Sequence, residues 1–292
     1  MGRAAVRSAR TLAGLLVAAV IAVPGAAAKP PAIRAPEAIL VDAASGTVLY
    51  AKHPDGRRAI ASTTKLMTAL ACLVAAEEGV IDLDEPAGPP GSTIRHLLAH
   101  ASGLPFEGDG PPLARPGIRR IYSNVGFEVL AQHVADRAGM AFADYLREGV
   151  FEPLELVSAD LRGSPAADVH ASLRDLGGFA RELLAPTLVS PETLAEATSV
   201  QFPGLAGVLP GVGRFDPLDW GLGFELKDAK PGHWSGTRTS PRAFGHFGGS
   251  GTFLWVDPDP QIACACLTDR EFGPWALEAW PRLSDAVLAE AA

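Results

Sequence analysis

Two apolar, β-rich runs in the stretch AILVDAASGTVLYA flank the short segment AASG, which predicts a β-hairpin near the start of the folded chain. The next apolar stretch, AIASTTKLMTAL over residues 59–70, is hydrophobic nearly all the way round a helical wheel. Such a pattern predicts a central, buried helix. DEPAGPPGS reads as a loop, with Ser92 placed to cap TIRHLLAH. YSNVGFEVLAQHVADRAG takes helical periodicity from about Val125 and stops at Gly139. SLRDLGGFARELL opens with Ser172 and Asp175 at capping-box spacing, and SPETLAEA puts Pro191 in a first helical turn.

From Asp219 the pattern changes to strands: WGLGFEL, AFGHFGGSG, TFLWVD and QIACACLTD. The last two are joined through PDP as a hairpin, and WALEAWPRLSDAVLAEAA reads as a closing helix. The order strands, helices, strands, helix predicts an α/β fold of the α+β type. An antiparallel sheet is built from both chain ends and a mostly helical region is inserted between them. The expected division is a discontinuous α/β domain over 29–75 and 201–292 and a helical domain over 76–200.

The first 28 residues stand apart. Arg3, Arg7 and Arg10 precede the apolar core TLAGLLVAAVIAV, Pro24 and Gly25 break it, and small residues lead up to Lys29. This is the pattern of a secretory signal cleaved after Ala28, and the apolar run is short for a bilayer span. The expected location is therefore secreted or cell envelope, without stable membrane insertion. No cysteine in the leader offers a lipid attachment site. Of 25 basic residues three fall in the leader, so 22 remain against 33 acidic ones, a net charge of −11. With no Lys/Arg-rich block, nucleic acid is not an expected partner. Cys72, Cys264 and Cys266 lie in apolar runs and read as small core residues; a disulfide from Cys72 to one of the other two is left open.

The candidate chemistry begins with Ser62 and Lys65. Three residues apart, they share one helix face, so the amine can reach the hydroxyl. Burial and the partial positive charge of a helix N-terminus both push a lysine there towards the neutral amine. A neutral amine is a competent base, and a serine beside a base becomes a nucleophile. Alone, Ser-x-x-Lys is a weak signal. Two later segments support it: YSN, with Tyr122 and Asn124 at a helix start, and HFGGSG, with His246, Gly248 and Gly249 on a strand.

This ordered set resembles the penicillin-recognising serine hydrolases, with motifs Ser-x-x-Lys, Ser/Tyr-x-Asn and Lys/His-x-Gly. Tyrosine in the second motif is similar to the branch of class C β-lactamases, D-alanyl-D-alanine carboxypeptidases and esterases. TIRHLLAHASGLP, YSNVGFEVLA and WGLGFEL look like further stretches of that branch. The opening also looks like low-molecular-weight penicillin-binding carboxypeptidases, but their Ser-Gly-Asn second motif is missing here.

The resemblance implies a β-lactamase/DD-peptidase-like fold, an acyl-enzyme on Ser62 and no metal or cofactor. Lys65 would deprotonate Ser62. Tyr122 would pass a proton to the leaving group and activate water, which requires nearby positive charge such as Lys65. Asn124 would hold the substrate amide and orient Lys65. The backbone N–H groups of Ser62 and Gly249 would form the oxyanion hole, with glycine allowing close approach. β-Lactamases usually place a lysine where this chain has His246. An uncharged histidine therefore favours a D-alanyl peptidase or carboxylesterase over a true β-lactamase, with Arg238 or Arg242 as candidates for the missing cation. A non-hydrolytic binder of cell-wall peptides is the reading from another class. The expected partner is a small molecule or a peptidoglycan-derived peptide or ester; oligomeric state is left open.

Other patterns carry less. His96 and His100 are four apart, as in a zinc site, but Leu97 stands where a zinc peptidase needs glutamate. GGSGT misses the nucleophile elbow because Thr252 occupies its last position. Trp220, Trp234 and Trp255 are core candidates before cleft candidates.

Overall fold

The computed structural model describes residues 37–42 and 47–291. The leader reading over 1–28 lies outside the described residues. Strands β1 (Glu37–Asp42) and β2 (Thr47–Lys52) pair antiparallel, as the hairpin pattern predicts, with a register shift between Leu40 and Val41. Four short strands follow: β3 (Arg58–Ala59), β4 (Arg120–Ile121), β5 (Asp160–Leu161) and β6 (Val169–Ala171). Then come β7 (Gly207–Leu209), β8 (Gly213–Phe215), β9 (Glu225–Leu226), β10 (Phe244–Gly248), β11 (Thr252–Asp257) and β12 (Ile262–Leu267). The central sheet runs β2-β1-β12-β11-β10-β9, all neighbours antiparallel. β1 therefore lies beside β12, and the two chain ends close one sheet.

The helices are α1 (Thr64–Glu77), α2 (Ile94–Leu98), α3 (Asn124–Ala138), α4 (Phe142–Leu146), α5 (Leu173–Glu182), α6 (Pro191–Ala197) and α7 (Pro274–Ala291). Every side chain from Thr64 to Ala75 in α1 is buried, which explains its all-round apolar pattern. The α3 helix starts on the Ser123 cap and ends at Gly139 in the left-handed conformation. Glycine favours that site because a Cβ there is costly. The Ser172–Asp175 capping box forms, and Ser190 caps α6 with Pro191 in its first turn. One expected cap moves: Thr93, not Ser92, accepts the His96 N–H at the start of α2. Among the described residues, no helix is long and apolar enough to cross a membrane.

Side-chain alternation divides the sheet's two faces. Leu254, Val256, Ala263, Ala265 and Leu267 join a core with α1 and α5. Phe253, Trp255, Cys264 and Cys266 point the other way, into an aromatic cluster with Trp234 and with Trp280 of α7. All three cysteines are buried thiols, as small core residues, with no disulfide among them. Burial raises the thiols of Cys72 and Cys264 and keeps them protonated.

Candidate active site

The end of β10 meets the start of α1, and this junction holds Ser62. Ala61 takes a left-handed φ of 45°, unusual for a residue with a Cβ, and Ser62 lies in the following single turn of 3₁₀ helix. The turn is tied to the β10–β11 hairpin. Thr252 Oγ1 donates to Ile60 O at 3.0 Å, and Ser250 Oγ donates to Ala59 O at 3.2 Å. A side chain on Gly248 has no room, since its Cβ would lie 2.6 Å from Ile60 O and 2.9 Å from the Ala61 Cβ. Gly249 faces open space. The glycine needed for close approach is thus Gly248, and it brings the strand against the serine turn.

Lys65 is fully buried at the start of α1. Its Nζ donates to Asn124 Oδ1 at 2.6 Å and to Ala166 O at 2.8 Å, and lies 4.8 Å from the Tyr122 ring centroid. The segment around Ala166 is laid along α1 by Thr68 Oγ1, which donates to Pro165 O, and by Val169 N–H, which donates to Thr64 Oγ1. Burial lowers the Lys65 pKa to about 7, against the opposing charges of Glu128 and Glu107.

Tyr122 lies in the loop between β4 and α3, and its hydroxyl is 3.1 Å from His246 Nε2. His246 Nδ1 is 2.6 Å from Phe247 O, a group that only accepts, so Nδ1 carries the proton. Nε2 then holds a lone pair, and the Tyr122 hydroxyl donates to it. Burial holds the His246 pKa down to about 4, reinforced by the charge of Lys65. The imidazole is therefore neutral. Burial also raises the Tyr122 pKa, opposed by a hydrogen bond with the Ser62 hydroxyl. Resting Tyr122 is thus a phenol. Lys65 holds too little charge, and the site is too dry, to ionise it.

Asn124 is the first residue of α3. Its N–H donates to Phe106 O at 2.9 Å, and its Nδ2 to Glu107 Oε1 at 3.4 Å. The loop of Phe106 and Glu107 thus lies against the site, with the Phe106 ring 5.9 Å from that of Tyr122. Among the described residues, the N–H groups of Ser62 and Gly249 have no hydrogen-bond partner. Free backbone donors of this kind can receive a developing oxyanion.

Not every sequence candidate reaches the site. Arg242 pairs with Asp259 at 2.9 Å, beyond the opposite end of β10 from Gly248, and Arg238 N–H donates to Asp285 of α7. The Arg242 guanidinium is thus engaged away from His246. His96 Nδ1 is 2.9 Å from Thr93 Oγ1, whereas His100 accepts the Ser123 N–H, so the two imidazoles serve separate partners. Among the described residues, no three His, Cys, Asp or Glu side chains are grouped to hold a metal ion. Trp220, Trp234 and Trp255 all belong to the aromatic cluster, and Trp220 packs its ring 5.7 Å from His246 and 5.9 Å from Tyr122. Sequence reasoning missed the Ala166 carbonyl, Glu107 and Glu225. No side-chain pattern announces a carbonyl. Glu225 accepts from His233 and Trp234 deep in the core, and only the fold brings its charge near His246.

Comparison with known proteins bears on the family and the fold. A family model described as Beta-lactamase matches residues 20–288. A crystal structure of a beta-lactamase from Mycobacterium bovis is 51% identical, with a TM-score of 0.86, over 89% of this chain and 96% of that one. Penicillin-binding protein 4* of Bacillus subtilis is 27% identical over 221 residues, covering 61% of this chain and 48% of that protein. The D-alanyl-D-alanine-carboxypeptidase/endopeptidase AmpH of Escherichia coli is 27% identical over 142 residues, 36% of this chain and 37% of that protein. The matched stretch thus spans half or less of either curated relative. With its family model matching most of the sequence, the chain belongs to the beta-lactamase family of serine hydrolases.

Proposed function

We propose that the protein is a serine hydrolase that works through an acyl-enzyme on Ser62, acting as a D-alanyl peptidase or carboxylesterase outside the cytoplasm. The observation that carries this reading is the state of Lys65. A neutral amine has two N–H bonds and one lone pair. Asn124 Oδ1 and Ala166 O accept two N–H bonds, which leaves the lone pair for the Ser62 hydroxyl three residues back. Of the two neutral bases near Ser62, Lys65 at about 7 is stronger than His246 at about 4, and it takes the proton.

The Ser62 oxygen then bonds to the substrate carbonyl carbon, and the carbonyl oxygen gathers charge opposite the N–H groups of Ser62 and Gly249. The bond to the leaving group breaks as Tyr122 gives that group its phenolic proton. The proton on Lys65 restores Tyr122. In the reverse direction Tyr122 passes its proton to Lys65 and takes one from the water as the water oxygen bonds to the acyl carbon; the bond to Ser62 breaks as Lys65 returns its proton to the Ser62 oxygen. His246 serves here as the acceptor that aims the phenol. It presents no fixed cation to a substrate carboxylate, which favours esters that carry none over β-lactams.

A β-lactamase is the second reading, favoured by the Mycobacterium bovis relative of that description. A non-hydrolytic binder gains nothing from a buried neutral amine beside a serine. The test is labelling with a fluorescent penicillin or a fluorophosphonate, followed by turnover of a D-alanyl-D-alanine peptide, a short-chain nitrophenyl ester and a cephalosporin. Covalent label on the wild type and none on Ser62→Ala is the expected result. Label that survives Ser62→Ala contradicts the nucleophile, and cephalosporin turnover well above the other two establishes the β-lactamase reading.

A further inference from the structure

His100 touches neither Ser62 nor Lys65 by any hydrogen bond, yet it grips the chain on both sides of Tyr122. Its carbonyl accepts the Ile121 N–H at 2.8 Å, and its Nδ1 accepts the Ser123 N–H at 3.1 Å. Its ring lies against the Tyr122 ring, with centroids 4.4 Å apart. Phe127 and Trp220 enclose the imidazole further, at 5.2 and 5.0 Å. The backbone of His100 takes a left-handed φ of 52°, which turns carbonyl and side chain together towards the segment 121–123. Non-glycine residues adopt that conformation at a cost and only where their surroundings impose it.

The protonation state is fixed by the same contacts. Nδ1 must hold a lone pair to accept from Ser123, so in the neutral ring Nε2 carries the proton. Nε2 is buried and has no hydrogen-bond partner among the described residues. A buried donor left unpaired is unfavourable, and an apolar ring would fill the same space without it. A phenylalanine, however, could not receive the Ser123 N–H. The orphan nitrogen therefore marks a histidine kept for its other nitrogen. Burial, with the charge of Arg120, holds the ring well below its usual pKa and so keeps that lone pair available.

We propose that His100 is a positioning residue for the reaction: by holding Ile121 and Ser123 and backing the Tyr122 ring, it aims the phenol between Ser62 and His246. The same grip sets the entry of α3, because Ser123 caps that helix and Asn124 begins it. The inference rests on the reading of Tyr122 as the proton donor proposed above.

Two variants suit the left-handed backbone and differ in the acceptor. His100→Asn places a carbonyl oxygen at the same point along the side chain as Nδ1, and His100→Gly has none. Both are assayed with a short-chain nitrophenyl ester, with active sites counted by fluorophosphonate titration so that unfolded molecules do not enter the rate. The expected result for His100→Gly is a kcat lower by about tenfold or more, with KM held within about twofold. His100→Asn is expected to recover most of that loss. In a Tyr122→Phe background the His100→Gly effect is expected to shrink below about twofold, because the group it aims is gone. Wild-type kcat in His100→Gly, no recovery in His100→Asn, or an undiminished loss in the Tyr122→Phe background would each overturn the role of His100 alone. Full activity of Tyr122→Phe by itself would instead overturn the reading of Tyr122, and the positioning role with it.

Discussion

The two faces of the central sheet bury comparable side chains to opposite ends. Towards α7, Phe247, Phe253, Trp255, Trp234 and Trp280 interlock with Cys264 and Cys266, and burial there yields packing. Around the serine turn, where α1 meets the end of β10, burial falls on Lys65, His246 and His100, and on Tyr122, which joins Lys65 to the aromatic cluster. There it removes charge: the lysine falls to about 7, the histidines stay neutral and the tyrosine stays a phenol. Low dielectric is common to both faces. Only where titratable groups were placed in it, with hydrogen bonds to fix their protons, does it become reactivity.

The sharpest way to break this comparison is Lys65→Met, which makes the reactive face resemble the other. The rate of Ser62 acylation is expected to fall by about 10²–10⁴-fold. Stability should change in the opposite sense. A lysine whose folded pKa lies near 7 and whose unfolded pKa lies near 10.5 binds more protons when unfolded between those pH values. Wild-type stability therefore rises with pH across about 7 to 10.5, by at most ~1.4 kcal/mol per unit from this group. Denaturant titrations at several pH values should show that slope in the wild type and its loss in Lys65→Met. An unchanged slope would remove Lys65 as its source.

Gly248→Ala comes next. Its Cβ would press on Ile60 O and the Ala61 Cβ and push the strand off the serine turn. An acylation rate lower by roughly 10²-fold is expected from such a displacement, with α1 intact by circular dichroism. Wild-type acylation would show that the contact does not fix the turn. On the opposite face, Trp280→Ala should cost about 3–5 kcal/mol in urea denaturation while leaving acylation per folded molecule within about twofold. A large loss of rate in that variant would dissolve the distinction between the faces.

Much of this was legible in the sequence, and the reasons differ by element. The hairpin of β1 and β2, the buried α1, the caps at Ser172 and Ser190 and the stop at Gly139 all follow from local rules. The alternation in QIACACLTD gave Cys264 and Cys266 a shared face before the sheet was seen. Ser62, Lys65, Tyr122, Asn124 and His246 could be gathered because their motifs occur in a recognisable order. What they do to one another could not. Whether Tyr122 ionises depends on how dry its surroundings are, and the direction of its hydrogen bond depends on Phe247 O. His100 looked like half of a failed zinc pair, because its useful partner is a backbone N–H 23 positions later. WGLGFEL shrank to the two-residue β9, because the chain turns tightly before it, with Gly223 at a left-handed φ of 89° and the Gly221 N–H donating to Phe224 O.

The charge on Lys65 is the point on which the chemistry turns, and it can be observed directly. Lysine labelled with ¹³C at Cε and ¹⁵N at Nζ, assigned through Lys65→Met, reports the titration of each amine by NMR. One amine should titrate near pH 7, within about one unit, and its signal should be missing from Lys65→Met. A Lys65 signal that stays protonated up to about pH 10 would contradict the neutral base and the acylation route built on it.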